Sequence, residues 1–68
     1  MTLEIETEQE LDGRWIAEVP SLPGVMAYGD SLDRAVALVK ALALRVLAER
    51  LEAGEDPLGI AGVEFVAA

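Results

Sequence analysis

The chain has 68 residues, 13 acidic and 5 basic side chains, a formal net charge of −8, and neither cysteine nor histidine. Without thiol or imidazole, disulfide staples and a zinc site are excluded. The scattered cations Arg14, Arg34, Lys40, Arg45 and Arg50 argue against direct DNA or RNA binding, which rests largely on neutralising phosphates.

From Thr2 to Glu10 the sequence alternates, with Leu3, Ile5 and Thr7 on one face and Glu4, Glu6, Glu8 and Glu10 on the other, the period of a half-buried strand. Asp12-Gly13 signals a hairpin, and Arg14 to Val19 follows as a second strand, with Trp15, Ala17 and Val19 alternating against Arg14, Ile16 and Glu18. Two registers compete. A two-residue turn pairs Glu10 with Trp15 and sets the aromatic ring among carboxylates. A three-residue loop of Leu11, Asp12 and left-handed Gly13 instead pairs Gln9 with Trp15, Thr7 with Ala17 and Ile5 with Val19. The second unites the apolar faces and is preferred; it also sets Glu10 opposite Arg14.

Pro20-Ser21-Leu22-Pro23-Gly24 ends the second strand as a structural corner, with Pro23-Gly24 at the centre of a type II turn. Val25 to Tyr28 is expected as a short third strand. Gly29-Asp30-Ser31 then leads into a helix, with Asp30 or Ser31 as N-cap and Asp33 in the first turn, where the helix dipole favours a carboxylate.

The helix is predicted from about Leu32 to Glu52, with Gly54 as its stop and Pro57 beyond. A step of about 100° per residue collects Ala35, Val36, Val39, Leu42, Ala43, Val46 and Leu47 on one face that should cover the sheet. A second apolar stripe of Ala37, Ala41, Leu44, Ala48 and Leu51 runs along another side. It reads either as a solvent face rich in alanine for helix propensity or as a self-association surface. Gly62 to Val66, with Val63 and Phe65 alternating against Glu64, is expected to return as a fourth strand. The fold class is therefore α+β in a single domain over residues 1–68: an antiparallel three-stranded meander, one long helix packed on it, and a short final strand.

The run Asp12-Gly13-Arg14-Trp15-Ile16-Ala17-Glu18-Val19-Pro20-Ser21-Leu22-Pro23-Gly24-Val25-Met26-Ala27-Tyr28-Gly29-Asp30 resembles the signature of HicB-like antitoxins. In that family an aromatic-x-Ala-x-x-Pro-x-Leu-Pro-Gly hairpin precedes Gly-Asp and an Ala/Leu-rich helix. The resemblance spans roughly residues 2 to 52. It implies a partial RNase H-like β-β-β-α-β fold that masks a HicA-type toxin, a small basic RNA-cleaving protein. The chain departs from the family pattern at Val25, where cysteine is frequent, and at Ser31-Leu32-Asp33-Arg34-Ala35, where the helix usually starts Thr-x-Glu-Glu-Ala. No helix-turn-helix or ribbon-helix-helix segment follows the helix in this sequence, so operator binding is not carried over.

Catalysis is not expected. Glu4 or Glu6 near Glu64 is the one carboxylate grouping that an RNase H-like sheet suggests for Mg²⁺, but regular strand faces carry such residues for solvation. There is no histidine base, cysteine nucleophile or phosphate-binding glycine loop, so neither a metal nor a cofactor is expected.

No uncharged apolar run is long enough to cross a bilayer and no basic-apolar leader opens the sequence, which points to the cytoplasm. Asn is absent and Gln9 is the single glutamine, a bias compatible with a heat-adapted source or a GC-rich genome. A domain this small buries only about 60% of its unfolded surface. With disulfides and zinc excluded, homo-oligomerisation through the Ala37–Leu51 stripe or a sheet edge is the expected supplement. The row Glu4, Glu6, Glu8, Glu10 and Glu18 is the candidate docking surface for a basic toxin. Two functions from different classes stay open: a toxin-neutralising antitoxin domain, and a stand-alone oligomeric domain with another partner.

Overall fold

The computed structural model describes residues 1–55 and 61–68. Its elements run β1 (Thr2–Gln9), β2 (Trp15–Glu18), β3 (Met26–Gly29), α1 (Leu32–Glu52) and β4 (Glu64–Ala67), giving the expected β-β-β-α-β layout. The sheet order is β3-β2-β1-β4. β1, β2 and β3 form the antiparallel meander, and β4 lies parallel to β1 on its far side. The Glu64 N–H donates to the Met1 carbonyl at 2.8 Å and the Ala68 N–H to the Ile5 carbonyl at 3.0 Å, fixing that parallel register.

The hairpin takes the three-residue loop. Gln9 lies opposite Trp15 and Thr7 opposite Ala17, the Gly13 N–H donates to the Glu10 carbonyl at 3.0 Å, and Gly13 sits at φ 92°. The alternative would have turned Trp15 away from the core, where it is half-buried. Glu10 does lie opposite Arg14, its N–H donating to the Arg14 carbonyl at 2.7 Å. The Arg14 side chain, however, pairs with Asp12 at 2.8 Å. Two residues along the loop, Asp12 is nearer than a carboxylate across the strand pair. The hydrogen bond from the Arg14 backbone N–H, followed by that from its side chain, holds the Asp12 carboxyl below its usual 3.8.

The double-proline corner is built from two consecutive turns. The Leu22 N–H donates to the Val19 carbonyl and the Val25 N–H to the Leu22 carbonyl, both at 3.0 Å. Pro23 and Gly24 occupy the centre of the second turn, with Gly24 at φ 83° as a type II turn requires. The corner folds Val19, Leu22 and Val25 inward, and all three are buried. β3 begins one residue later than the sequence suggests, because Val25 closes this loop through its carbonyl to the Val19 N–H.

Ser31 is the N-cap, accepting from the Arg34 N–H at 3.1 Å through its hydroxyl oxygen. At the other end Gly54 adopts φ 84°. The Glu55 N–H donates to the Arg50 carbonyl at 2.9 Å and the Gly54 N–H to the Leu51 carbonyl at 3.1 Å, the paired bonds of a Schellman stop. Pro57 lies outside the described residues.

Ala35, Val39, Ala43 and Leu47 are the buried residues of α1, with Val36, Leu42 and Val46 half-buried beside them. They meet Leu3, Ile5, Ala17, Val19, Leu22 and Val25 in one cluster. α1 lies mainly over β3 and β2. Gly29 at the end of β3 sets how closely it can approach: a Cβ there would collide with the Ala35 backbone nitrogen and lie 2.9 Å from the Ala35 Cα. Neither atom can rotate away, so Gly29→Ala should force α1 off the sheet at a cost of about 1–3 kcal/mol. For a domain of this size that is a fall in Tm of roughly 5–20 °C by calorimetry; an unchanged Tm would contradict the close approach.

Candidate protein-binding face

The helix covers one side of the sheet, and strand alternation sends the remaining side chains to the other. Across the open side the rows are Glu8–Ile16–Tyr28, Glu6–Glu18–Met26, Glu4–Val66 and Thr2–Glu64. Glu4, Glu6, Glu8 and Glu18 are exposed, and Glu10 is half-buried where the row meets the hairpin. The structure thus brings together the predicted carboxylates and adds Glu64 from β4.

Successive glutamates on β1 stand about 6.8 Å apart, and neighbouring strands about 4.8 Å. Glu6 and Glu18 are directly opposite each other. Like charges in such a pair are destabilising by roughly 0.2–1 kcal/mol. The cation on this face is Arg14, already paired with Asp12, its guanidinium carbon 4.9 Å from the Tyr28 ring centroid. Among the described residues no carboxylate group converges to hold a metal ion. Glu64 lies opposite Thr2 rather than Glu4, leaving Glu4 and Glu64 as diagonal neighbours on a regular surface.

The sequence reading missed the other half of this face. Beside the acidic strip lies an apolar patch of Ile16, Met26 (42% exposed) and Tyr28 (46% exposed). Ile16 lies on the carboxylate side of β2, as the alternation indicates, and the β2–β3 pairing sets it opposite Tyr28. The surface is therefore amphipathic: carboxylates along β1 and at Glu18 of β2, with Ile16, Met26 and Tyr28 beside them on β2 and β3.

On the helix side, the half of the sheet nearest β4 is less covered. A groove of about 510 Å³ runs between α1 and β4, with Val36, Ala37 and Lys40 on one wall and Ile5 and Phe65 on the other. The Lys40 ammonium is 5.8 Å from the Phe65 ring centroid. Further along α1, Leu44 (49%) and Leu51 (46%) are exposed, Ala37 and Ala48 are exposed, and Ala41 is half-buried. No helix among the described residues is long and apolar enough to cross a membrane. Comparison with protein-family models, curated proteins and solved structures found no match to any of them.

The opposed positions of Glu6 and Glu18 make the face's charge measurable as stability. Glu18→Lys should turn a repulsive pair into an attractive one and raise Tm by about 1–5 °C at low salt, the gain shrinking as salt screens it. A lower Tm at low salt would show that the two carboxylates do not oppose each other.

Proposed function

We propose that the chain is a non-catalytic, antitoxin-like domain of the cytoplasm that binds and masks a small basic RNA-cleaving protein of the HicA type. The observation that carries this reading is the open sheet face, where Glu6 and Glu18 stand opposed with Glu4, Glu8 and Glu64 around them. A partner cation placed there gains attraction and also relieves repulsion the free domain carries, so the face favours a basic ligand over a neutral one. The Ile16, Met26 and Tyr28 patch gives such a partner an apolar anchor beside the charges. The resemblance of residues 12–30 to the HicB signature supplies the identity of the partner class.

A second reading, an oligomeric domain with a different partner, is favoured by the exposed Leu44 and Leu51. A neighbouring gene for a small basic protein with a catalytic histidine would select the first. With that protein purified, the chain should suppress its RNA cleavage at a one-to-one ratio of subunits. Glu6→Lys with Glu8→Lys should slow association and flatten its dependence on salt. An association rate unchanged by the pair would remove this face from the interaction.

The absence of catalysis is tested separately. The chain alone should show no RNA cleavage with or without Mg²⁺. Metal-dependent cleavage that disappears in Glu4→Gln or Glu64→Gln would replace the binding reading with an enzymatic one.

A further inference from the structure

We infer that two copies of this chain associate back to back through α1, with the helices antiparallel and one turn-by-turn register. The inference is independent of the toxin-binding reading, since it concerns the opposite side of the molecule.

Three observations carry it. The first is spacing. Ala37, Ala41, Leu44, Ala48 and Leu51 follow one another at intervals of four, three, four and three residues, the strict 3.5-residue repeat of a coiled-coil seam rather than the broader stripe of a helix lying on a sheet. At about 100° per residue the seam is centred roughly 140° around the helix from the buried face of Ala35, Val39, Ala43 and Leu47, so it points away from the chain's own sheet.

The second is self-complementarity. In an antiparallel pair with its two-fold axis at the level of Val46, Ala41 of one copy meets Leu51 of the other and Leu44 meets Ala48. Each of these layers then joins one small and one large side chain, filling the space at a constant helix separation. A parallel pair would stack leucine on leucine and alanine on alanine, and no single separation would pack both.

The third is charge. α1 holds four of the chain's five cations, Arg34, Lys40, Arg45 and Arg50, with Asp33, Glu49 and Glu52 its only acids, and so carries a net single positive charge. The remainder of the chain has ten carboxylates against Arg14 alone. Two copies of a molecule with a charge of −8 repel through their sheet faces and least through their helices. The occupant of the seam is therefore a second copy arriving helix first, while a basic partner is drawn to the other side.

The test is sedimentation over a concentration series with cross-linking. The parent chain should sediment as a dimer or a multiple of one. Leu44→Glu with Leu51→Glu should raise the dissociation constant by more than about 100-fold, the equivalent of about 2.8 kcal/mol, while Leu11→Ser at the exposed hairpin tip leaves association intact. Since the chain has no cysteine, Leu44→Cys with Ala48→Cys should give a covalent dimer on oxidation, and Leu44→Cys alone should not. These cysteine variants keep the helix neutral and report the register even if the glutamate pair unfolds the domain. A monomeric parent chain, an oligomer indifferent to the glutamate pair, or equal cross-linking by Leu44→Cys alone would each overturn the inference.

Discussion

The close contact between the end of β3 and the first turn of α1 governs the rest of the structure. Gly29 leaves no side chain between the strand and the Ala35 backbone. Ala35 and Ala43 then keep the helix low, while Val39 and Leu47 fill the space toward Leu3, Val19 and Val25. A helix is about 10 Å wide and spans two strands. Pinned at Gly29, α1 is committed to β3 and β2, and the half of the sheet nearest β4 is left with the groove beside Lys40 and Phe65. One glycine thus decides which part of the molecule is core and which part stays open.

The uneven distribution of charge follows the same division. The buried strand side chains beneath α1 are apolar, and the acids of β1 and β2 fall on the open face, where Glu6 lies opposite Glu18. A sheet that needed only solubility would mix lysine with glutamate there and gain from cross-strand pairs. Here four of the five cations lie in α1, on the other side, and Arg14 is held by Asp12. The segregation costs some stability, which a positive charge bound against the sheet would offset.

Much of this was legible because short-range rules decide it. The Asp12-Gly13 turn with Gly13 left-handed, the type II turn at Pro23-Gly24, the Ser31 cap and the Gly54 stop each depend on a few adjacent residues, and each lies where the sequence places it. The β1–β2 register was legible because a one-residue slip would have exposed Trp15, a penalty visible in the alternation. What escaped depends on distant residues. The parallel pairing of β4 with β1 joins segments about sixty residues apart. The role of Gly29 is invisible without the helix that returns over it, since in the sequence it reads as a spacer before Asp30. Ile16, Met26 and Tyr28 form a patch only after β3 is laid beside β2. The carboxylate row could be read because Glu4, Glu6 and Glu8 alternate along β1 and Glu10 and Glu18 belong to the same hairpin; its apolar border could not, because it needs β3 laid beside β2.

The sheet face and the helix seam lie on opposite sides of a single layer of strands, and this arrangement bears on how so small a domain can hold a partner. A chain of this size has little core with which to resist deformation, and neither cysteine for a disulfide nor histidine for a zinc site. Anything that reinforces α1 from outside also reinforces the sheet beneath it, because Ala35, Val39, Ala43 and Leu47 belong to the same helix as the seam. A second helix packed on Leu44 and Leu51 would therefore steady the platform that carries Glu6 and Glu18 without covering it. Two copies joined in this way direct their acidic faces outward in opposite directions. Each face would remain free for a basic partner, and the helices, which carry four of the five cations, would meet at the centre where the copies repel least.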